Sequence, residues 1–244
     1  MIDYTKAFAA KETKGFDAGL KSYMLKIYNY MTMALLLTGV MAFAVLNFPP
    51  LMNLMYNIGP RGEFTGFSMM GYVITFAPLG IAFYLFARLD RMSPQSAQMW
   101  FWTYASLMGM SLSSLGLVYT GQSLAKTFFI CSAVFGSVSI YGYTTKRDLT
   151  SMGSFLIIGL IGLIVVSIIN IWLDSPAIEF ATSFIGVAIF IGLTAWDTQK
   201  LKAMYYSSGG GKIGENMAIR GALTLYLDFI NLFIYLLRFL GNRR

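Results

Sequence analysis

The sequence alternates long apolar stretches with short polar ones, and seven of the apolar stretches are long enough to cross a lipid bilayer as helices. They cover residues 28–48, 67–87, 95–118, 127–145, 152–173, 177–199 and 218–240. Pro49 and Pro50 end the first stretch, and residues 59–62 predict a turn before the second. Pro78 lies inside the second stretch, where neighbouring membrane helices tolerate a proline. The pattern predicts an all-α, polytopic membrane protein with seven transmembrane helices.

The seven stretches divide the chain into an N-terminal tail, 1–27, a transmembrane domain, 28–240, and a C-terminal tail, 241–244. The N-terminal tail carries five lysines and lacks the apolar core of a signal peptide, so we expect it to be retained. An alternative for residues 16–27 is an amphipathic helix that lies on the lipid surface. Its apolar contacts would come from Phe16, Leu20, Tyr23 and Ile27.

Lysines and arginines are distributed unevenly between the two sets of alternate loops, with twelve on the N-terminal side and four on the other. Positive residues accumulate on the cytoplasmic side of membrane proteins. The distribution therefore predicts a multi-pass membrane protein with a cytoplasmic N-terminus. With seven spans, the C-terminus lies outside.

Composition narrows the classes of function. With 57% hydrophobic and 12% charged residues, the chain is too apolar for a soluble domain. The net charge of +7 comes from short clusters between the apolar stretches, so we expect the lipid bilayer, and no nucleic acid, as a partner. The chain has no histidine, which excludes Ser-His-Asp and Cys-His catalysis. Cys131 is the single cysteine, so no intrachain disulfide forms.

The last apolar stretch carries a carboxylate, Asp228, at its middle. An aspartate at the centre of a spanning helix costs about 2.5–3.5 kcal/mol, so such a residue usually faces protein or water and has a function. Helical spacing places it in one polar seam with Gly221, Thr224, Asn231 and Tyr235. Apolar residues cover the rest of the helix, and they are Leu225, Phe229, Ile230, Phe233, Leu236 and Leu237. We expect the seam to face inward and these apolar residues to face outward.

A second carboxylate, Asp197, lies near the end of the sixth stretch. One interpretation is an interfacial charge that pairs with Lys200 one turn further on. The other is a pair of inward carboxylates, Asp197 and Asp228, which share a proton because both cannot ionise cheaply at close range. The predicted difference in depth argues against a direct contact between the two, because Asp228 lies about 15 Å into its helix and Asp197 lies near a helix end. Arg88, at the end of the second stretch, is either a partner of Asp197 or a membrane anchor.

Two motifs resemble a known family. The segment AWDTQKLK at 195–202 resembles the signature at the end of the sixth helix of the transmembrane Bax inhibitor motif family, also called the Bax inhibitor-1 family. The segment LYLDFINLFIYLLRFLG at 225–241 resembles its last helix, in the bacterial branch. The resemblance implies a central seventh helix surrounded by the other six. It also implies a paired-aspartate proton sensor at Asp197 and Asp228, a latch at Arg88 and a pH-dependent calcium leak.

The leading hypothesis is therefore a non-enzymatic, pH-sensitive, calcium-permeable leak channel without a cofactor, in which calcium ions and protons are the partners. Asp197 and Asp228 would form the gate, and once they separate they would offer transient oxygen contacts to calcium. The alternative is a non-conducting protein that restrains a membrane protease or a stress or cell-death response, through the lysine-rich tail and residues 200–217. An intramembrane aspartyl protease is a third possibility, but the YD and GxGD patterns of that class are missing.

Overall fold

The structure is a computed structural model, which describes residues 18–60, 63–208 and 214–243. Eight helices and one β-hairpin make up this part of the chain. In order, they are α1 (Ala18–Asn47), α2 (Pro49–Met55), β1 (Tyr56–Ile58), β2 (Phe64–Phe67), α3 (Met69–Arg88), α4 (Pro94–Val118), α5 (Gly121–Thr144), α6 (Thr150–Leu173), α7 (Pro176–Ser207) and α8 (Glu215–Leu240). A single 3₁₀ turn, Leu89–Arg91, follows α3.

Six helices in the described part of the chain are long and apolar enough to span a membrane: α1, α3, α5, α6, α7 and α8. The all-α, polytopic membrane fold is therefore confirmed. The helix α4 is long, but two glutamines and five serines make it more polar than the six, and it is not among them. The count of seven spans stays a prediction.

Helix starts follow the expected capping chemistry. Ser68, Ser93 and Thr120 each precede a long helix, and each side chain accepts a hydrogen bond from the backbone three residues ahead. Prolines begin α4 and α7. A backbone N–H at the start of a helix has no acceptor within that helix, so the N–H that proline lacks is not missed there. These residues fix where the apolar stretches enter the membrane.

The first helix begins earlier than the first apolar stretch. It is continuous from Ala18, ten residues before the predicted span, so residues 18–27 of the predicted tail are helical. Leu20, Tyr23 and Ile27 are 3%, 5% and 0% exposed. The alternative of a helix lying on the lipid through these residues is therefore wrong, because protein covers them. Phe16 and the lysines at positions 6, 11 and 14 lie outside the described residues.

The segment after the first span folds into more than a turn. Two prolines start the short helix α2, and the antiparallel strands β1 and β2 follow, with Tyr56 opposite Phe67 and a bulge after Asn57. The sequence does not predict this hairpin, because its apolar residues lack a regular period over so short a length. Arg61 and Gly62 of the predicted turn lie outside the described residues.

The described chain forms two compact units. One of them, called the second unit, comprises Leu25–Tyr119 and Gly214–Leu223. Its hairpin core includes Met55 and Tyr56, and the Tyr56 hydroxyl lies 2.6 Å from the Ser113 hydroxyl of α4. A glycine allows α4 to touch α1 closely, because a Cβ at Gly109 would overlap the backbone of Thr38.

The other unit, here called the first, comprises the described parts of Met1–Met24, Thr120–Ile213 and Thr224–Arg243. It contains α5, α6, α7 and the larger part of α8. Rings from α5 and α8 pack against one another, with Phe135 and Phe128 both edge-on to Phe229. Aromatic edge-to-face packing of this kind orders helices where lipid supplies no hydrophobic driving force.

Burial separates the inner helix from the outer one. Half of the 18-residue apolar segment of α8 is buried in the protein, which is the largest share among the six candidate spans. In α6, only 6% of the corresponding segment is buried. This burial is consistent with the inner position predicted for the last helix. The prediction that its apolar residues face outward is wrong, because Leu225, Phe229, Ile230, Leu236 and Leu237 are all at most 6% exposed. Lipid and protein interior are both apolar, so periodicity alone does not distinguish them.

Candidate functional site

The two carboxylates of the sequence prediction both lie in the first unit, on α7 and α8. The sixth apolar stretch is predicted to end at 199, but α7 continues to Ser207. Leu201, Ala203 and Tyr205 are buried against the protein, and their packing stabilises this added part of the helix. Asp197 therefore lies ten residues before the helix end, or about 15 Å. Asp228 lies thirteen residues after the start of α8, or about 20 Å. The longer helix removes most of the predicted difference in depth.

Asp197 and Asp228 interact electrostatically with each other, and Asp228 also interacts with Lys200. Asp197 is 7% exposed, and its Oδ1 lies 3.9 Å from the Lys200 ammonium. Asp228 is 5% exposed, and its Oδ2 has no hydrogen-bond partner among the described residues. The structure thus contains both the Lys200 ion pair and the neighbouring carboxylates, which the sequence analysis treated as alternatives.

Close helix packing positions Asp197. A Cβ at Gly142 of α5 would overlap the carbonyl oxygen of Ala195, and a Cβ at Gly153 of α6 would overlap the ring of Trp196. The two glycines therefore let α5 and α6 approach α7 on either side of the residues that precede Asp197. Trp196 also lies 4.9 Å beneath the Lys200 ammonium. Its ring shields the cation that pairs with the aspartate.

Two residues that the sequence analysis did not single out secure the same segment. Gln199 accepts a hydrogen bond from the backbone N–H of Leu149 (2.9 Å) and donates one to the carbonyl of Arg147 (2.8 Å). Lys202, which is 5% exposed, donates to the carbonyl of Tyr143 at 2.6 Å and lies over its ring. Together they hold the α5–α6 connection against α7. Their presence in the AWDTQKLK motif is the signal that could have identified them.

Further buried polar atoms of the first unit have no hydrogen-bond partner in the described chain. They are the hydroxyl oxygens of Tyr23, Ser139, Ser167 and Thr198. A buried polar group without a partner is expensive, so water or an ion usually supplies one. Thr198 directly follows Asp197, so an unsatisfied hydroxyl adjoins one member of the carboxylate pair in the sequence.

Of the other residues of the predicted seam on α8, Gly221 is buried, and Thr224, Asn231 and Tyr235 are partly buried. Asn231 donates to the carbonyl of Leu227 one turn back, so its amide is satisfied within the helix. Tyr235 stacks on Phe190 at 5.7 Å and lies beneath the Arg238 guanidinium. Thr224 also has a partner within the protein. Asp228 is thus the residue of the seam that carries an unsatisfied polar atom among the described residues.

Arg88, the predicted latch, is the last residue of α3 and is exposed. It belongs to the second unit, whereas Asp197 belongs to the first. The latch stays a prediction.

No group of three or more His, Cys, Asp or Glu side chains that could hold a metal ion occurs within 18–60, 63–208 and 214–243. A resident calcium site normally needs six to eight oxygen ligands. The transient calcium contacts expected of Asp197 and Asp228 stay a prediction.

Comparison with known proteins gives the family. A family model described as an inhibitor of apoptosis-promoting Bax1 matches residues 20–244. An uncharacterised protein of Rickettsia prowazekii is 58% identical over 245 residues, which cover 100% of each chain. A protein of Caulobacter vibrioides is 42% identical over 250 residues and 100% of each chain. The inner membrane protein YbhL of Escherichia coli is 43% identical over 234 residues, 93% of this chain and 94% of its own. The chain therefore belongs to the bacterial branch of the Bax inhibitor-1 family, as its two motifs predict.

Proposed function

We propose that the protein is a non-enzymatic calcium leak channel whose conductance is controlled by a proton shared between Asp197 and Asp228. The observation that supports this most strongly is that two carboxylates are both buried, and that Oδ2 of Asp228 has no hydrogen-bond partner among the described residues. Carboxylates that serve structure alone are normally hydrogen-bonded when buried. An unsatisfied one is available for a proton or a cation.

Charge counting gives the direction of the response. With one shared proton, the pair carries one negative charge, which Lys200 balances. Loss of that proton leaves two negative charges against one positive charge in a buried site, where repulsion is strong. We expect the carboxylates then to separate and to present oxygen atoms to a hard cation. Calcium flux should therefore rise as pH rises.

Reconstituted liposomes that contain a calcium-sensitive dye provide the test. We expect flux to increase from mildly acidic to mildly alkaline pH in the native chain, and to become independent of pH in Asp228→Asn and in Asp197→Asn. Asp174→Asn is the matched control, because Asp174 is exposed at the end of α6 in a left-handed conformation that Asn also adopts. Unchanged pH dependence in both site variants would refute the gate.

The same proposal places the protein in the bacterial inner membrane, as the name of the Escherichia coli relative states for that protein. It includes α4 as a seventh span and a cytoplasmic N-terminus. An odd number of spans puts the two termini on opposite sides of the membrane, whereas six spans put them on the same side. Alkaline phosphatase fused after residue 244 should be active, because that enzyme matures outside the cytoplasm. An inactive phosphatase, together with a fluorescent C-terminal green fluorescent protein fusion, would refute the seventh span or the orientation.

A further inference from the structure

A small polar cavity lies between the start of α5 and the end of α8. Its volume is about 130 Å³, enough for about four water molecules. The first two turns of α5 form one side, and the segment after α8 forms the other. Two backbone hydrogen bonds join these sides, from Thr120 N–H to the Asn242 carbonyl (3.3 Å) and from Asn242 N–H to the Ser123 hydroxyl (2.9 Å). The cavity is therefore part of the folded first unit.

The lining favours a negatively charged occupant. Lys126 lines the cavity, and its ammonium makes no ion pair within the described part of the chain. The amide of Gln122 and the hydroxyls of Thr120 and Thr127 are also at the wall, and no carboxylate among the described residues is. The start of α5 adds the positive end of a 24-residue helix.

Thr127 gives independent evidence for a ligand. It is 2% exposed and lines the cavity, yet its hydroxyl makes no hydrogen bond to any described residue. Other hydroxyls of α5 bond to the carbonyl four residues back, as Ser132, Ser137 and Thr144 do at 2.8 Å. Thr127, at the wall of the cavity, does not use this local acceptor. Its hydroxyl is thus available to a group inside the cavity.

We propose that this cavity binds a phosphate oxyanion through Lys126, Thr127 and the start of α5. Phosphate has several oxygens that accept hydrogen bonds from different directions, which suits a cationic side chain, hydroxyls and helix N–H groups converging on one space. The phosphate belongs either to a phospholipid headgroup or to free inorganic phosphate. Apolar surface lies beside the cavity, because Leu240 and Phe128 are 44% and 41% exposed. The end of a spanning helix is also where headgroups lie.

Native mass spectrometry of the full-length chain in neutral detergent tests the lipid source. The probes are dioleoylphosphatidylglycerol and dioleoylglycerol, which has the same acyl chains but no phosphate. Line broadening of the ³¹P resonance of inorganic phosphate tests the soluble source. The variants are Lys126→Gln and Thr127→Val, which keep side-chain size. The controls are Thr144→Val, at the last residue of the same helix, and Lys146→Gln, just beyond that end.

We expect phosphatidylglycerol to bind, and each site variant to weaken it about tenfold, the factor typical of one lost hydrogen bond to a charged group. The controls should bind as the native chain does, and dioleoylglycerol should not bind at this site. Broadening by inorganic phosphate that both site variants abolish would support the proposal and assign the soluble source. Phosphatidylglycerol binding that neither variant weakens, with no variant-sensitive phosphate broadening, would overturn it. Because the site is independent of the proposed channel, Asp228→Asn should leave phosphate binding at the cavity unchanged.

Discussion

Two carboxylates of α8 have opposite surroundings. Glu215, at the start of the helix in the second unit, lies 2.5 Å from the Lys26 ammonium, accepts a hydrogen bond from the Tyr30 hydroxyl and lies 3.3 Å from the Gln98 amide. Asp228, in the first unit, is more deeply buried and has an oxygen with no partner among the described residues. One helix thus carries a satisfied carboxylate at its start and an unsatisfied one near its middle.

The difference separates a charge that holds helices together from one that the proposed function uses. Every partner of Glu215 is an N–H or O–H donor, so the ionised carboxylate holds α1, α4 and α8 in place. Asn216 and Arg220 extend this fixed region, through the carbonyls of Leu89 and Met92 and through the Asp90 carboxylate. Asp228 has a second carboxylate as its neighbour instead. Such a pair stabilises the fold little, and its charge state can change.

The largest effect should come from Gly142→Ala. The added methyl group would overlap the backbone carbonyl of Ala195 and force α5 away from α7 next to Asp197. We expect a loss of about 2–3 kcal/mol in the free energy of unfolding from overpacking, together with an altered pH dependence of calcium flux. Thermal unfolding and liposome flux measure these effects.

Gly136→Ala on the same helix is the control for that substitution, because a Cβ there would meet nothing within 4 Å. It should be neutral or slightly stabilising, since alanine favours helix over glycine. Equal destabilisation by both substitutions would mean that the α5–α7 contact does not position Asp197.

Glu215→Gln should have the next largest effect. The substitution removes the charge that Lys26 and Tyr30 bind, and we expect a loss of about 1–2 kcal/mol in stability. The pH dependence of flux should stay intact. Glu179→Gln, which breaks the exposed pair with Arg243, should cost less than about 1 kcal/mol. If Glu215→Gln abolished the pH response and left stability unchanged, the assignment of roles to the two carboxylates would be reversed.

Asp228→Asn should change stability by less than about 1 kcal/mol at mildly acidic pH, because Oδ2 of the native residue has no hydrogen bond to lose and the Asn amide N–H replaces the shared proton as a donor to Asp197. As pH rises, the native chain gains a second negative charge beside a single lysine and should lose stability. The variant should lose less. Denaturation followed across pH in the same detergent tests this sign, and a steeper loss in the variant would contradict it.

Lys200→Gln should have the smallest effect. Its ammonium is 3.9 Å from Asp197, and the side chain is 38% exposed, so solvent weakens the interaction. Removal of the positive charge makes loss of the shared proton less favourable. The pH of half-maximal flux should therefore rise by less than about one unit, since one unit corresponds to about 1.4 kcal/mol. A shift to lower pH would refute the role of Lys200 in balancing the pair.

The sequence by itself determined the all-α polytopic membrane class and the family, because the length and hydrophobicity of a helix are local properties that lipid requires. It also identified Asp197 and Asp228, since a charge inside an apolar stretch is conspicuous in the sequence. The motif at 195–202 marked a segment that the structure then explained through Gln199 and Lys202.

The tertiary structure decided what depends on neighbours. The continuation of α7 to Ser207 places Asp197 closer in depth to Asp228. That continuation depends on packing against other helices, which the number of apolar residues in the sequence does not reveal. Burial of Leu225 and Leu237 depended on the helices around α8, because an apolar face suits lipid and protein equally. Glu215 and Asp228 looked alike as acidic residues of one helix. Partners from distant parts of the chain made one a fixed charge, and their absence among the described residues left the other available to a proton.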